Sequence, residues 1–122
     1  MKEEFLDYIE DIIEAMNDAT SFVKDTEYAV FVKDRKTVYA VTRALEIIGE
    51  AVKKLPNTLK KQYSRIPWKE ITGMRNKLIH EYFGVDLKVL WDTVKKDIPP
   101  LKSLFEKIQK DFKDKQIELL SR

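Results

Sequence analysis

The sequence predicts an all-α protein, a mostly antiparallel bundle of four main helices with one or two short helices between them. Apolar residues recur three and four positions apart along each long segment, the period of a helix that buries one face. Three glycines and four prolines in 122 residues leave little material for the turns of a sandwich or barrel, while 43% hydrophobic and 36% charged residues suit helices with one dry and one wet side.

Taken in order, Phe5, Ile9, Ile12, Met16, Ala19 and Val23 share a stripe, so the first ~20 residues form one amphipathic helix. Thr26 is placed to cap a short helix through Val32, and Asp34 to cap a long one from Arg35 to about Leu55, where Pro56-Asn57 stops it. On that helix Val38, Val41, Leu45, Ile48, Val52 and Leu55 form the buried stripe, and Tyr39, Arg43, Glu46 and Glu50 fall on a separate face. A short helical turn covers Thr58 to Tyr63. Pro67, suited to a first helical position, then starts a helix that Gly84 ends as a C-terminal cap. Asp86 caps the next helix, with Val85 stapled onto Leu90 and with Leu87, Trp91 and Val94 inward. Pro99-Pro100 are expected to break the chain. The last helix then begins at Leu101, turns Leu104, Phe105, Ile108 and Phe112 inward, and frays in a Lys/Asp/Gln-rich end. No internal repeat, low-complexity tract or linker interrupts the chain, so residues 1–122 read as a single domain.

Composition excludes several function classes. With 23 basic and 21 acidic residues the net charge is only +2, so any attraction for nucleic acid must be local. The absence of cysteine removes disulfides and thiolate metal sites, and one histidine removes a histidine-rich metal centre within one protomer. No apolar run reaches membrane-spanning length, and Met1-Lys2-Glu3-Glu4 leads straight into an amphipathic segment without a signal peptide, so a cytoplasmic protein is expected.

The most informative segment is Met74-Arg75-Asn76-Lys77-Leu78-Ile79-His80-Glu81-Tyr82-Phe83, which holds the only histidine five residues after an arginine and two before a tyrosine. Arginine offers a fixed fork of donors matched to phosphate oxygens, and histidine can take and give a proton near neutral pH. Together they suit cleavage of a phosphodiester. At ~100° per residue Ile71, Met74, Leu78 and Tyr82 share the inward stripe with Arg75 at its edge, while Gly73, Asn76 and His80 fall on the opposite side. A glycine inside a helix costs ~1 kcal/mol relative to alanine, so Gly73 suggests that a second backbone or a ligand approaches closely. A second copy of the chain is the economical partner, because a twofold axis there gathers two His80 and two Arg75 into one cleft and supplies both an acid and a base. Asn76, one turn before His80, can orient the imidazole, and Glu46 and Glu50 are the carboxylates placed to hold the Arg75 fork.

The pattern Arg75-x4-His80-x-Tyr82, preceded by Ile66-Pro67-Trp68-Lys69-Glu70-Ile71-Thr72-Gly73 and followed by Gly84-Val85-Asp86, resembles the HepT-like branch of the HEPN (higher eukaryotes and prokaryotes nucleotide-binding) superfamily. The likeness extends upstream to Ala44-Leu45-Glu46-Ile47-Ile48-Gly49-Glu50-Ala51 and downstream to Pro99-Pro100-Leu101. It implies an all-helical, homodimeric endoribonuclease toxin that acts on RNA without a metal or other cofactor and is paired with an MntA-like nucleotidyltransferase antitoxin. It also implies the roles: Arg75 and His80 catalytic, with the ribose 2′-hydroxyl attacking the adjacent phosphate, and Tyr82 the acceptor of AMP groups from the antitoxin.

The residues alone also admit plainer readings. A histidine near a helix C-terminus can simply satisfy the helix dipole, Arg75 can form a salt bridge with Glu46 or Glu50, and Tyr82 can be core with its hydroxyl at the rim. Trp68, Trp91 and Phe83 read as packing and not as base-stacking platforms. The Lys53-Lys54 and Lys60-Lys61 pairs are solvated surface unless folding brings them beside the motif, where they can track an RNA backbone. Two alternatives from other classes follow: a non-catalytic nucleotide- or RNA-binding module, and an accessory subunit that holds a nucleotidyltransferase.

Overall fold

The computed structural model of the chain describes residues 4–79 and 86–120, and the side chains of residues 75–79 lie outside that description. Helix α1 (Phe5–Phe22) is followed by the single turn α2 (Tyr28–Phe31), the long α3 (Arg35–Lys53), the short α4 (Asn57–Gln62), α5 (Trp68–Ile79), α6 (Leu87–Asp92) and α7 (Ile98–Leu120). A π-helical turn, Thr93–Asp97, joins α6 to α7 without a break. The architecture is therefore the expected all-α bundle, and no strand occurs among the described residues.

Burial follows the apolar stripes. Ile9, Ile12 and Met16 of α1 meet the α3 stripe of Val38, Val41, Leu45, Ile48 and Val52, and α7 adds Phe105 and Ile108 to the same buried cluster. Helix α1 packs on α3 and α7, and α5 packs on α3. Trp91 lies against Phe31 and Tyr28, with centroids 5.1 and 5.7 Å away, and Trp68 meets Phe105 edge-on at 5.5 Å. Both indoles are packing residues, as their spacing predicts.

Two caps are where the sequence puts them. Asp34 Oδ1 accepts from the Thr37 amide at 3.1 Å while its Oδ2 accepts the Thr37 hydroxyl at 2.6 Å, and these hydrogen bonds hold the carboxyl below its ordinary pKa. Asp86 Oδ1 accepts from the amides of Lys88 and Val89, both at 3.1 Å, and so caps α6. The proposed staple of Val85, and Gly84 as the cap of α5, lie outside the described residues.

Three expectations are corrected. Thr26 does not cap α2; its hydroxyl donates to the Lys24 carbonyl at 3.3 Å, and Glu27 occupies the cap position without a side-chain bond. The turn there passes through Asp25 at φ 58°, a left-handed conformation that aspartate tolerates better than most residues. Pro99 and Pro100 do not break the chain. A proline inside a helix lacks the amide that would bond four residues back, and its ring crowds that carbonyl. Here the carbonyls concerned belong to Lys95 and Lys96 in the π turn, whose i→i+5 pattern displaces the normal ladder at the place where proline conflicts with it. Third, α7 continues to Leu120 where fraying is expected, its last turns exposed on all sides.

The start of α5 is anchored from two directions. The Trp68 indole N–H donates to the carbonyls of Lys60 and Tyr63, each at 3.0 Å, which ties α5 to α4. The Tyr63 hydroxyl donates to Asp111 Oδ2 at 2.8 Å on α7, where Lys107 pairs with the same oxygen at 3.0 Å. Burial, with the hydrogen bond to Asp111 second, pushes the Tyr63 phenol up to about 12, so it remains a donor at every physiological pH.

Candidate functional site

Helix α5 carries Arg75 and Asn76 of the informative segment, and of the stripe predicted to face inward Ile71 is buried and Met74 half-buried against the core, while Leu78 and Tyr82 lie outside the described side chains. Its first turn is set by Pro67, whose carbonyl accepts from the Ile71 amide at 3.0 Å. Arg75 and Asn76 lie within the α5 backbone, and their side chains lie outside the described residues, as do His80 and Tyr82 entirely.

On α3, Glu46 and Glu50 are half-buried on the face that also carries Arg43 and Lys53. Glu46 Oε2 pairs with Arg43 Nη1 at 3.5 Å, an exposed i,i+3 pair of the kind worth little in stability. Helix α5 doubles back along α3, because Lys53 at the end of α3 lines the same depression as Lys69, Thr72 and Gly73 at the start of α5. Tracing α3 backward from Lys53 reaches Glu50 and then Glu46, the direction in which α5 advances from Gly73 to Arg75 and Asn76. The carboxylates are therefore on the helix that neighbours α5.

A Cβ built on Gly73 meets nothing within 4 Å, so the space beside this helix is open in the protomer. Removing the entropic penalty of a mid-helix glycine then raises stability. Gly73→Ala is expected to raise the unfolding free energy by about 1 kcal/mol. Denaturant midpoints at one fixed protein concentration measure this, and a lower midpoint would mean that a second molecule needs the vacant volume in the folded state.

The shallow, open depression beside Gly73 has a volume of about 440 Å³ and is lined by Lys53, Lys60, Trp68, Lys69, Thr72 and Gly73. One lysine from each of the paired runs thus reaches the motif helix. Lys54 turns instead over the Tyr8 ring, 5.4 Å from its centroid. Lys69 was not legible as a site residue, although its i,i+4 relation to Gly73 was the available signal. Among the described residues no group of three or more His, Asp and Glu side chains forms a metal site, and no helix is long and apolar enough to cross a membrane.

Fold and sequence together define a class: all-helical bundles that carry the pattern Arg75-x4-His80-x-Tyr82 on α5 and the segment that follows it. The chain belongs to the ribonuclease HepT-like family, whose model matches residues 12–108 and so includes α5, the motif and Asp86. A protein of Thermococcus cleftensis named "Probable ribonuclease HepT" is 54% identical over 110 residues, which cover 90% of this chain and all of that protein (100%). Two proteins of Methanocaldococcus jannaschii with RNase in their names are 50% and 49% identical over 108 residues; each alignment covers 88% of this chain, and 89% and 93% of the relatives respectively. No solved structure matches the chain.

Proposed function

We propose that this chain, as a single HEPN-type domain over residues 1–122, is a metal-independent endoribonuclease toxin that acts as a homodimer in the cytoplasm. The observation that carries the reading is the presence of Arg75-x4-His80-x-Tyr82 within the span that matches the ribonuclease HepT-like family. In the reaction the ribose 2′-oxygen attacks the adjacent phosphorus and the bond to the 5′-oxygen breaks, giving a 2′,3′-cyclic phosphate and a 5′-hydroxyl. His80 takes the proton from the 2′-hydroxyl or gives one to the departing 5′-oxygen, and the partner copy's histidine supplies the other transfer. Arg75 stabilises the charge that builds on the non-bridging oxygens, and Asn76 orients the imidazole. Glu46 and Glu50, on the helix beside α5, support the reading as positioning groups for the guanidinium fork.

Regulation belongs to Tyr82. Its phenol oxygen attacks the α-phosphorus of ATP held by a cognate MntA-like nucleotidyltransferase antitoxin, and pyrophosphate leaves. The AMP that remains puts a negative phosphate where the RNA phosphate would bind.

The purified chain should cut single-stranded RNA in the presence of EDTA, and chemical mapping of the product ends should find cyclic phosphate and 5′-hydroxyl. Products with 5′-phosphate, or activity that returns only with added Mg²⁺ or Mn²⁺, would point to a hydrolytic metal mechanism instead. RNA binding without turnover would favour the non-catalytic module.

A further inference from the structure

Between Glu50 and Glu70 the chain has six basic residues, Lys53, Lys54, Lys60, Lys61, Arg65 and Lys69, and no acidic one, although basic and acidic residues are nearly balanced, 23 to 21, over the whole sequence. Folding gathers three of the six. Lys53 from the end of α3, Lys60 from α4 and Lys69 from α5 line one shallow depression together with Thr72 and Gly73. Among the described residues none of these three ammonium groups is paired with a carboxylate, in contrast to Lys88, Lys96 and Lys107, each of which has an aspartate partner.

Like charges drawn into one concave place repel one another, and a fold that leaves them unneutralised gains nothing from them in the free state. The frame holding them is nevertheless fixed. Trp68 clamps the Lys60 backbone to α5 through its indole, and its ring is held edge-on by Phe105. The missing side chain at Gly73 leaves open space beside the helix. Lys69 and Gly73, one turn apart on α5, share a face of the helix whose next turn begins the motif.

We propose that the depression lined by Lys53, Lys60 and Lys69 binds the phosphodiester backbone of the RNA strand flanking the cleavage site. The polymer is taken from the ribonuclease reading above, whereas the site itself stands on the lysine geometry. Three lysines around an open depression offer point charges to successive phosphates without reading base edges, so the binding is independent of sequence and fixes where the strand lies. Gly73 then serves as clearance for the backbone of the strand.

The test uses the full chain and a labelled single-stranded RNA with 2′-O-methyl riboses, which lacks the nucleophile and stays intact. Binding is followed by anisotropy over a series of salt concentrations. The variant Lys53→Gln/Lys60→Gln/Lys69→Gln should bind at least ~10-fold more weakly, and the slope of log K against log salt should fall by about 2, roughly 0.7 for each phosphate that is no longer neutralised. The control Lys110→Gln/Lys113→Gln/Lys115→Gln removes the same charge from the exposed side of α7 and should keep the parent slope. An unchanged slope in the first variant, an equal loss in the control, or a change in sedimentation that puts the lysines in a subunit interface would each overturn the assignment. Parallel assays on unmodified RNA separate it from the nuclease reading: binding with the predicted slope change but no cleavage leaves the groove standing, and cleavage that the groove variant does not weaken leaves only the nuclease.

Discussion

Alanine in place of His80, or of Arg75, is expected to reduce RNA cleavage by at least ~10²-fold while leaving the helical signal and the melting midpoint nearly unchanged. Loss of one transition-state charge interaction typically removes ~10²–10³ in rate, and loss of a general acid or base ~10²–10⁴. The expected stability of both variants follows from the core, which among the described residues is assembled largely from α1, α3 and α7 around apolar side chains such as Leu45, Ile48 and Phe105. The two variants should differ in what repairs them. Imidazole added to His80→Ala can restore proton transfer, whereas guanidinium must also be positioned, and Arg75→Lys keeps the charge but loses the fork. In a homodimer whose clefts combine residues of both copies, co-refolding His80→Ala with Arg75→Ala chains should restore part of the activity. Parent-level cleavage by both single variants would remove the mechanism, and cleavage lost together with the helical signal would place these residues in the fold instead.

Tyr82→Phe is expected to keep cleavage within a few-fold of the parent yet make the enzyme indifferent to a cognate nucleotidyltransferase supplied with ATP and Mg²⁺. Tyr82 stands about two turns beyond Arg75 in the helical count of the sequence, so an AMP attached there projects toward the arginine's phosphate. Its phosphate would compete for Arg75 and repel the RNA backbone at a range too short for salt to screen well. Intact-mass spectrometry beside a cleavage assay decides the matter: additions that map to another residue, or additions on Tyr82 that spare cleavage, would refute the assignment.

Most of the fold was legible because helical periodicity is redundant. The α3 stripe has five members, Val38, Val41, Leu45, Ile48 and Val52, and Asp34 and Asp86 each precede an apolar run at the distance a cap requires, so local and global signals agree. The misreadings are where a local rule was right and context absorbed it. Pro99-Pro100 should stop an α-helix, and what stops is the α ladder alone, replaced by one π turn that no residue pattern announces. Thr26 is a good capping residue one position too early. The lysine depression was only half legible, since Lys53, Lys60 and Lys69 come from three helices and their convergence depends on how α5 returns along α3. Arg75, His80 and Tyr82 were singled out by their spacing, a chemical signal that needs no tertiary structure to be noticed.

The unbroken run from Leu87 through the π turn to Leu120 has a mechanical consequence. At about 1.5 Å per residue it amounts to roughly 50 Å of continuous helix. Its beginning is pinned by Asp86, immediately after the motif segment, and farther along Asp111 grips Tyr63, just before the motif helix. Both ends of the stretch between Tyr63 and Asp86 are therefore moored to one girder. Removal of the Asp111 carboxylate would therefore release the Tyr63 end of that stretch and leave its Asp86 end capped, so the two moorings can be cut one at a time.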